Sequence, residues 1–282
     1  MAVGESKMEN GNFEPVVLRA GGEAAVEVCP YGAQVTSWRT QDGQQRLFLS
    51  RTAEFRAGAA IRGGVPIIFP QFAGLGALPK HGFARTASWQ LIDTDNEAGN
   101  SVRFRLTDTA ATRSQWPNRF VAEYLITLWP DALRLSLSVL NPGDEAFGFT
   151  AALHTYLSVS DISQVSVSGL QGLQYSDSAA GGVERVESRE LLRIADEVDR
   201  IYFDSRQPIS VMQPEQRTLL CSIEGFTDTV IWNPGPDKAA TLGDLEPDGY
   251  RHMLCVEAAA IGHPIVLQPG SGWNGVQHLQ VV

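Results

Sequence analysis

Hydrophobic and polar positions along the chain alternate mostly with a period of two. Leu133-Arg-Leu-Ser-Leu-Ser-Val-Leu-Asn alternates almost strictly, placing Leu133, Leu135, Leu137 and Val139 on one face. Phe120 to Trp129 alternates in part, and Pro130-Asp-Ala between the two segments is a turn, so together they predict an antiparallel hairpin. Trp89 to Asp93 and Ser101 to Asp108 show the same partial pattern. Shorter strand-like runs begin at Pro15, Ala24, Tyr31, Gln45, Val165, Leu191, Gln216, Thr229, Tyr250, Ile265 and His278. Gly21-Gly22, Gln41-Asp-Gly and Asn141-Pro-Gly-Asp separate some of them as turns. Val198 to Asp204 reads as a loop, and Asp237 to Asp244 as irregular or one helical turn. Helical periodicity is almost absent. Many short strands with frequent Gly/Pro turns predict an all-β fold, a large antiparallel β-sandwich or a barrel. No composition break divides the chain, so a loose tail over 1–13 and a single domain over 14–282 are expected.

Two stretches depart from plain strand chemistry. In Phe147 to Ser160 the odd positions Phe147, Phe149, Ala151, Leu153, Leu157 and Val159 are apolar. The even positions are Gly148, Thr150, Ala152, His154, Tyr156 and Ser158. A sheet face kept low by Gly, Thr and Ala, and bearing an imidazole, suits a cleft floor. The alternative is a half-exposed strand that shows His154 to solvent. The second stretch is Ala60-Ile-Arg-Gly-Gly-Val-Pro-Ile-Ile-Phe-Pro-Gln-Phe, followed by Leu78-Pro-Lys-His-Gly-Phe-Ala-Arg85. Pro66, Pro70 and Pro79 each fix φ and remove a donor. Gly63 and Gly64 permit a positive φ or close backbone approach. This reads as a rigid, irregular loop pair that holds Arg62, Lys80, His81 and Arg85 over a concave surface, against the alternative of solvated arginines on a structural loop.

Composition narrows the partners. With 22 Lys and Arg against 32 Asp and Glu the net charge is −10. That disfavours nucleic acid and anionic membranes as partners, and makes the local cluster of Arg62, Lys80 and Arg85 a candidate for a small anionic ligand. Three cysteines without a CxxC pair predict neither a disulfide framework nor a structural zinc site, and fit a reducing compartment. A polar N-terminus and the absence of a membrane-length apolar run predict a cytoplasmic protein.

Among the five histidines, His252, His263 and His278 read as surface or uninformative positions, leaving His81 and His154. Glu257 follows Met253-Leu-Cys-Val, so a carboxylate enters where the pattern expects burial. Burial would raise its pKa and let it act as a base near neutral pH; the alternative is a strand-end glutamate reaching water. His81, His154 and Glu257 also have the composition of a two-His-one-carboxylate metal site.

Ile61-Arg-Gly-Gly-Val-Pro-Ile-Ile-Phe-Pro-Gln-Phe, Leu78-Pro-Lys-His-Gly-Phe-Ala-Arg, Leu153-His-Thr-Tyr-Leu, Trp232-Asn-Pro and Met253-Leu-Cys-Val-Glu occur in this order. Together they resemble the hexose-6-phosphate mutarotases, the glucose-6-phosphate 1-epimerase branch of the aldose 1-epimerase superfamily. The resemblance covers roughly Val16 to Val282 and implies a galactose mutarotase-like β-sandwich that interconverts the anomers of hexose 6-phosphates. It implies Glu257 as general base at the anomeric hydroxyl and His154 as general acid at the ring oxygen. His81 would orient the sugar, Arg62 and Arg85 would grip the phosphate, and Asp204 would bind sugar hydroxyls. Lys80 stands where many members have glutamine, and would add a cation for the phosphate or alter sugar preference. The resemblance implies no cofactor, no metal, a small sugar-phosphate substrate and a monomer. A mutarotase of unphosphorylated aldoses and a non-catalytic sugar-phosphate-binding protein are the competing functions.

Overall fold

The computed structural model describes residues 13–95 and 100–282. The tail expected over 1–13 lies outside the described residues except for Phe13, whose ring centroid sits 4.9 Å from that of Tyr31.

Antiparallel pairing organises three sheets. The sheet that carries the site runs, in spatial order, Val183–Val186, Gln174–Asp177, Val198–Tyr202, Asp228–Asn233, Met253–Leu267, Phe147–Leu153 and Ile67–Ile68. Tyr156–Ser158 also pairs with Met253–Leu267. Behind it lies a nine-stranded sheet from Leu192–Arg193 to Gln90–Asp95, with Gly272–Val281, Ala132–Leu140 and Val121–Trp129 at its centre. A three-stranded sheet, Val16–Arg19, Ala25–Cys29 and Gln34–Arg39, completes the fold.

The expected β-sandwich is present, and the hairpin forms with Leu133 paired to Leu128 and Leu137 to Tyr124. Leu133, Leu135, Leu137 and Val139 all face the core between the sheets. There they meet Leu153, Leu254, Val256 and Ala258 from the site-bearing sheet. One apolar cluster extends from Leu18 to Val281, and its burial is the main stabilising term.

Two expectations need correction, and one helix has no counterpart among them. Val198–Tyr202 is a strand, not a loop, paired on both sides by Gln174–Asp177 and Asp228–Asn233. The segment ending at Glu257 continues as one strand to Leu267, with a register shift between Ala260 and Ile265. A short helix, Ala110–Gln115, starts at Thr109, whose side chain accepts from Thr112 N. That reciprocal cap satisfies end groups that hydrophobic period does not register.

The Gly/Pro stretch crosses the end of the site-bearing sheet. Gly63 and Gly64 both have positive φ, and a Cβ on Gly64 would collide with the carbonyl oxygen of Val35. The close approach is therefore to the protein's own backbone. The Phe69–Pro70 peptide is cis. Phe69 lies edge-on to Phe83, Trp116, Phe120 and Phe149, with centroids 5.3–6.2 Å away, which fastens the stretch to the core.

Candidate active site

Strand alternation sorts the two central strands cleanly. Leu153, Leu157, Leu254, Val256 and Ala258 face the sandwich core, whereas Ala152, Tyr156, Met253, Cys255 and Ala259 belong to a second apolar cluster on the outer face. His154 and Glu257 fall on that outer face. Leu153 pairs with Ala258 and Tyr156 with Cys255, so the same register sets His154 opposite Glu257. Pairing with Met253–Leu267 lapses at His154, whose N–H faces the other neighbour and donates to Pro66 O at 3.0 Å, in register with Leu153 opposite Ile67.

The outer face is the floor of a cavity of about 640 Å³. Arg62, Lys80, His81, Arg85, His154 and Glu257 all line it. Six of the seven residues expected at the site therefore converge, although they come from segments up to 195 positions apart.

Asp204 is the exception. It occupies a left-handed backbone position (φ 50°), and its side chain is 64% exposed, 3.7 Å from Arg206. It does not line the cavity. The aspartate that does is Asp199, in the strand first read as a loop. Asp199, Ile201 and Phe203 all line the cavity, as residues two apart on one strand face should. The missed signal is the repeat Val198, Arg200, Tyr202 on one parity and Asp199, Ile201, Phe203 on the other. Arg200 obscured it, because its charge is satisfied locally by Asp177 at 3.3 Å and Glu187 at 3.0 Å.

The Glu257 side chain is 2% exposed, and its Oε1 lies 3.2 Å from His154 Nδ1. Glu257 Oε2 is buried without a hydrogen-bond partner. Burial, then the charge of Asp199, pushes the carboxyl well above its usual pKa, and Arg85 only partly offsets this. Burial, followed by the nearby His81 and cations, pushes the His154 imidazole well below its usual value. His154 is held flat: Tyr156 stacks on it at 4.7 Å and 11°, and Trp232 stands edge-on at 5.8 Å.

His81 arises from a tight turn. It has φ 71° and is followed by Gly82 at φ 67°. Its N–H donates to Ala73 O at 2.9 Å, and its Nδ1 accepts from Ala73 N at 3.2 Å. Burial and Arg85 push its pKa down to about 3, so the ring is neutral at pH 7. With Nδ1 accepting, the proton sits on Nε2, which becomes a donor. Gln71 supports this loop by donating to Ala73 O and Leu78 O and accepting from Leu78 N.

The cations are not equivalent. Arg62 donates to Tyr156 Oη and to Asp244 Oδ1, each at 3.0 Å. Burial opposes its charge, but these partners outweigh burial and hold the guanidinium firmly protonated. Arg85 donates to Lys80 O at 3.0 Å and has no acidic partner among the described residues. Lys80 is exposed at the cavity wall.

The profile of the aldose 1-epimerase family matches residues 14–280. The chain belongs to the aldose 1-epimerase family. A relative from Cenchrus ciliaris is 38% identical over 93% of this chain and 83% of its own length. One from Escherichia coli K12 is 36% identical over 81% of this chain and 77% of its own. Both carry the name "Putative glucose-6-phosphate 1-epimerase". Among solved structures, a Salmonella typhimurium protein named "putative mutarotase (YeaD)" superposes with TM-score 0.87 at 28% identity, covering 95% of this chain and 91% of that one. Membership of this family agrees with the motif order and with the sandwich that carries the cavity.

Proposed function

We propose that this epimerase-family protein interconverts the α and β anomers of hexose 6-phosphates such as glucose 6-phosphate. The observation that carries the reading is the opposed, buried His154–Glu257 pair on the floor of a cavity that Arg62, Lys80 and Arg85 also line. The names of the two relatives support the same activity.

Ring opening requires one proton to leave the C1 hydroxyl and another to reach the ring oxygen. Glu257 accepts the first and His154 supplies the second. One proton is shared by the coupled pair; it rests on Glu257, and the reactive form is the minor tautomer in which a carboxylate faces an imidazolium. After the transfers both side chains are neutral. Burial favours that outcome, since the environment that raises the Glu257 pKa makes it a stronger base and the one that lowers the His154 pKa makes it a stronger acid. Rotation about C1–C2 and reclosure, with the roles reversed, deliver the other anomer. These are proton transfers, so the sequence of steps calls for no redox cofactor or metal.

His81 Nε2–H is a donor for the sugar near the ring oxygen, and Asp199 replaces Asp204 as the acceptor for sugar hydroxyls. Arg85 and Lys80 grip the phosphate with Arg62, anchoring the substrate far from the reacting carbon. The remaining expectations belong to this proposal: one domain over 14–282, a monomer, a cytoplasmic location, and neither nucleic acid nor membrane as partner. The continuous core supports the first. Buried Cys29, Cys221 and Cys255 thiols fit a reducing compartment, and the net charge of −10 fits the lack of nucleic-acid and anionic-membrane partners. Among the described residues no helix is long and apolar enough to cross a membrane.

NMR exchange spectroscopy between the anomers of glucose 6-phosphate, with free glucose and galactose as controls, tests the reading. Wild type should accelerate exchange of the phosphorylated sugar selectively, and Glu257→Gln should lower the rate by about 10²–10⁴-fold. Equal acceleration of free glucose would favour an unphosphorylated substrate. No difference between wild type and Glu257→Gln would reduce the protein to a sugar-phosphate binder.

A further inference from the structure

Strand Gly272–Val281 of the back sheet sends Val276, Leu279 and Val281 into buried positions. Gln277 is among the buried side chains too, at 0% exposure, where an amide is costly unless its bonds are made. Its Oε1 accepts from Thr155 Oγ1 at 2.5 Å, and its Nε2 donates to Val256 O at 2.9 Å. Thr155 follows His154 and Val256 precedes Glu257. The two contacted residues are themselves joined, Val256 N donating to Thr155 O at 3.0 Å.

This is where the front sheet is least regular. Strand pairing on Met253–Leu267 lapses between Phe147–Leu153 and Tyr156–Ser158, at His154 and Thr155. The His154 amide faces the other neighbour and donates to Pro66 O, continuing the Leu153–Ile67 register. One amide from the opposite sheet therefore bridges the core-facing residues directly behind the His154–Glu257 pair. We propose that Gln277 is a positioning residue that fixes the separation and relative aim of His154 and Glu257 through Thr155 and Val256. This deepens the mutarotase reading and rests on it. Gln277 touches no substrate; it acts by holding two strands in register where a single backbone bond, Val256 N to Thr155 O, joins them.

The tests use the full chain. Gln277→Met keeps the volume and removes both polar contacts. A misplacement of about 1 Å can cost on the order of 10²-fold, so kcat for glucose 6-phosphate should fall at least about tenfold while KM, set by the cations, stays within about twofold. Gln277→Glu supplies a rescue with a distinct signature. As a neutral acid it can accept from Thr155 and donate to Val256 O; as a carboxylate it cannot donate. Its rate relative to wild type should therefore recover towards acid pH and decay as pH rises. The ¹⁵N signals of the His154 ring, recorded without substrate, should shift in Gln277→Met and return towards wild type in Gln277→Glu at acid pH. If Gln277→Met does not fold, Thr155→Val carries the same readouts. Unchanged kcat and unchanged His154 signals overturn the inference. So does a lowered Tm with kcat and KM shifted together and no recovery at acid pH, which is what a merely structural amide gives. An inactive wild type would instead defeat the mutarotase reading, and the His154 signals would still decide the role of Gln277.

Discussion

Burial, and after it the negative charge of Asp199, sets how basic Glu257 can be. The reactive form holds one proton for the Glu257–His154 pair, so the rate should fall as pH rises through the raised Glu257 pKa, where that proton is lost, placing the alkaline limb above the ordinary glutamate range. Asp199→Asn removes the like charge, and ionisation of Glu257 then becomes easier. The alkaline limb of kcat should move to lower pH, a shift that a pH–rate profile would reveal; a limb that stays put would disconnect the two carboxyls. At the cationic side, Arg85 lacks an acidic partner among the described residues whereas Arg62 has one. Arg85→Ala should raise KM for glucose 6-phosphate by about 10–100-fold, the loss expected for one or two charge-assisted contacts, and should leave kcat nearly unchanged. Steady-state kinetics separate the two.

Single elements explain both the legible and the illegible parts of the site. The period of two over Phe147 to Ser160 exposed the cavity floor in advance, because glycine, threonine and alanine alternate there with large apolar residues. Glu257 was legible for the same reason, as a charge inside an apolar run. Asp199 was not, since adjacent Asp199 and Arg200 resemble a solvated loop until their separate partners on the two strand faces are known. Asp204 carried the same residue type five positions away, on a turn that points outward. Nor could sequence place Asp228, whose carboxylate accepts from Ile261 N at 2.7 Å and Gly262 N at 2.8 Å. These bonds occupy amides just where the long strand loses register with Phe147–Leu153. Ile261 and Gly262 line the cavity, so Asp228→Ala should destabilise the fold by about 2–4 kcal/mol and raise KM as well. Denaturant melts and kinetics on the same preparation check both effects.

At the scale of the whole molecule the sandwich supplies a rigid floor and the Gly/Pro stretch supplies the wall. The two are joined through the aromatic cluster around Phe69, which is 1% exposed. Phe69→Ala should cost about 3–5 kcal/mol in a melt, and it should loosen Arg62, His81 and Arg85 together, raising KM more than the stability loss alone accounts for. A variant that melts earlier yet binds normally would show that wall and floor are independent.

The Arg62–Asp244 contact described above makes substrate arrival an exchange of ions. A resident carboxylate already occupies one edge of the guanidinium, so an incoming phosphate must displace it or share it. Stray monovalent anions, which offer less than the carboxylate does, gain little by entering. Added chloride should therefore weaken glucose 6-phosphate binding less than the count of nearby cations suggests, and Asp244→Asn should make the same KM markedly more sensitive to salt.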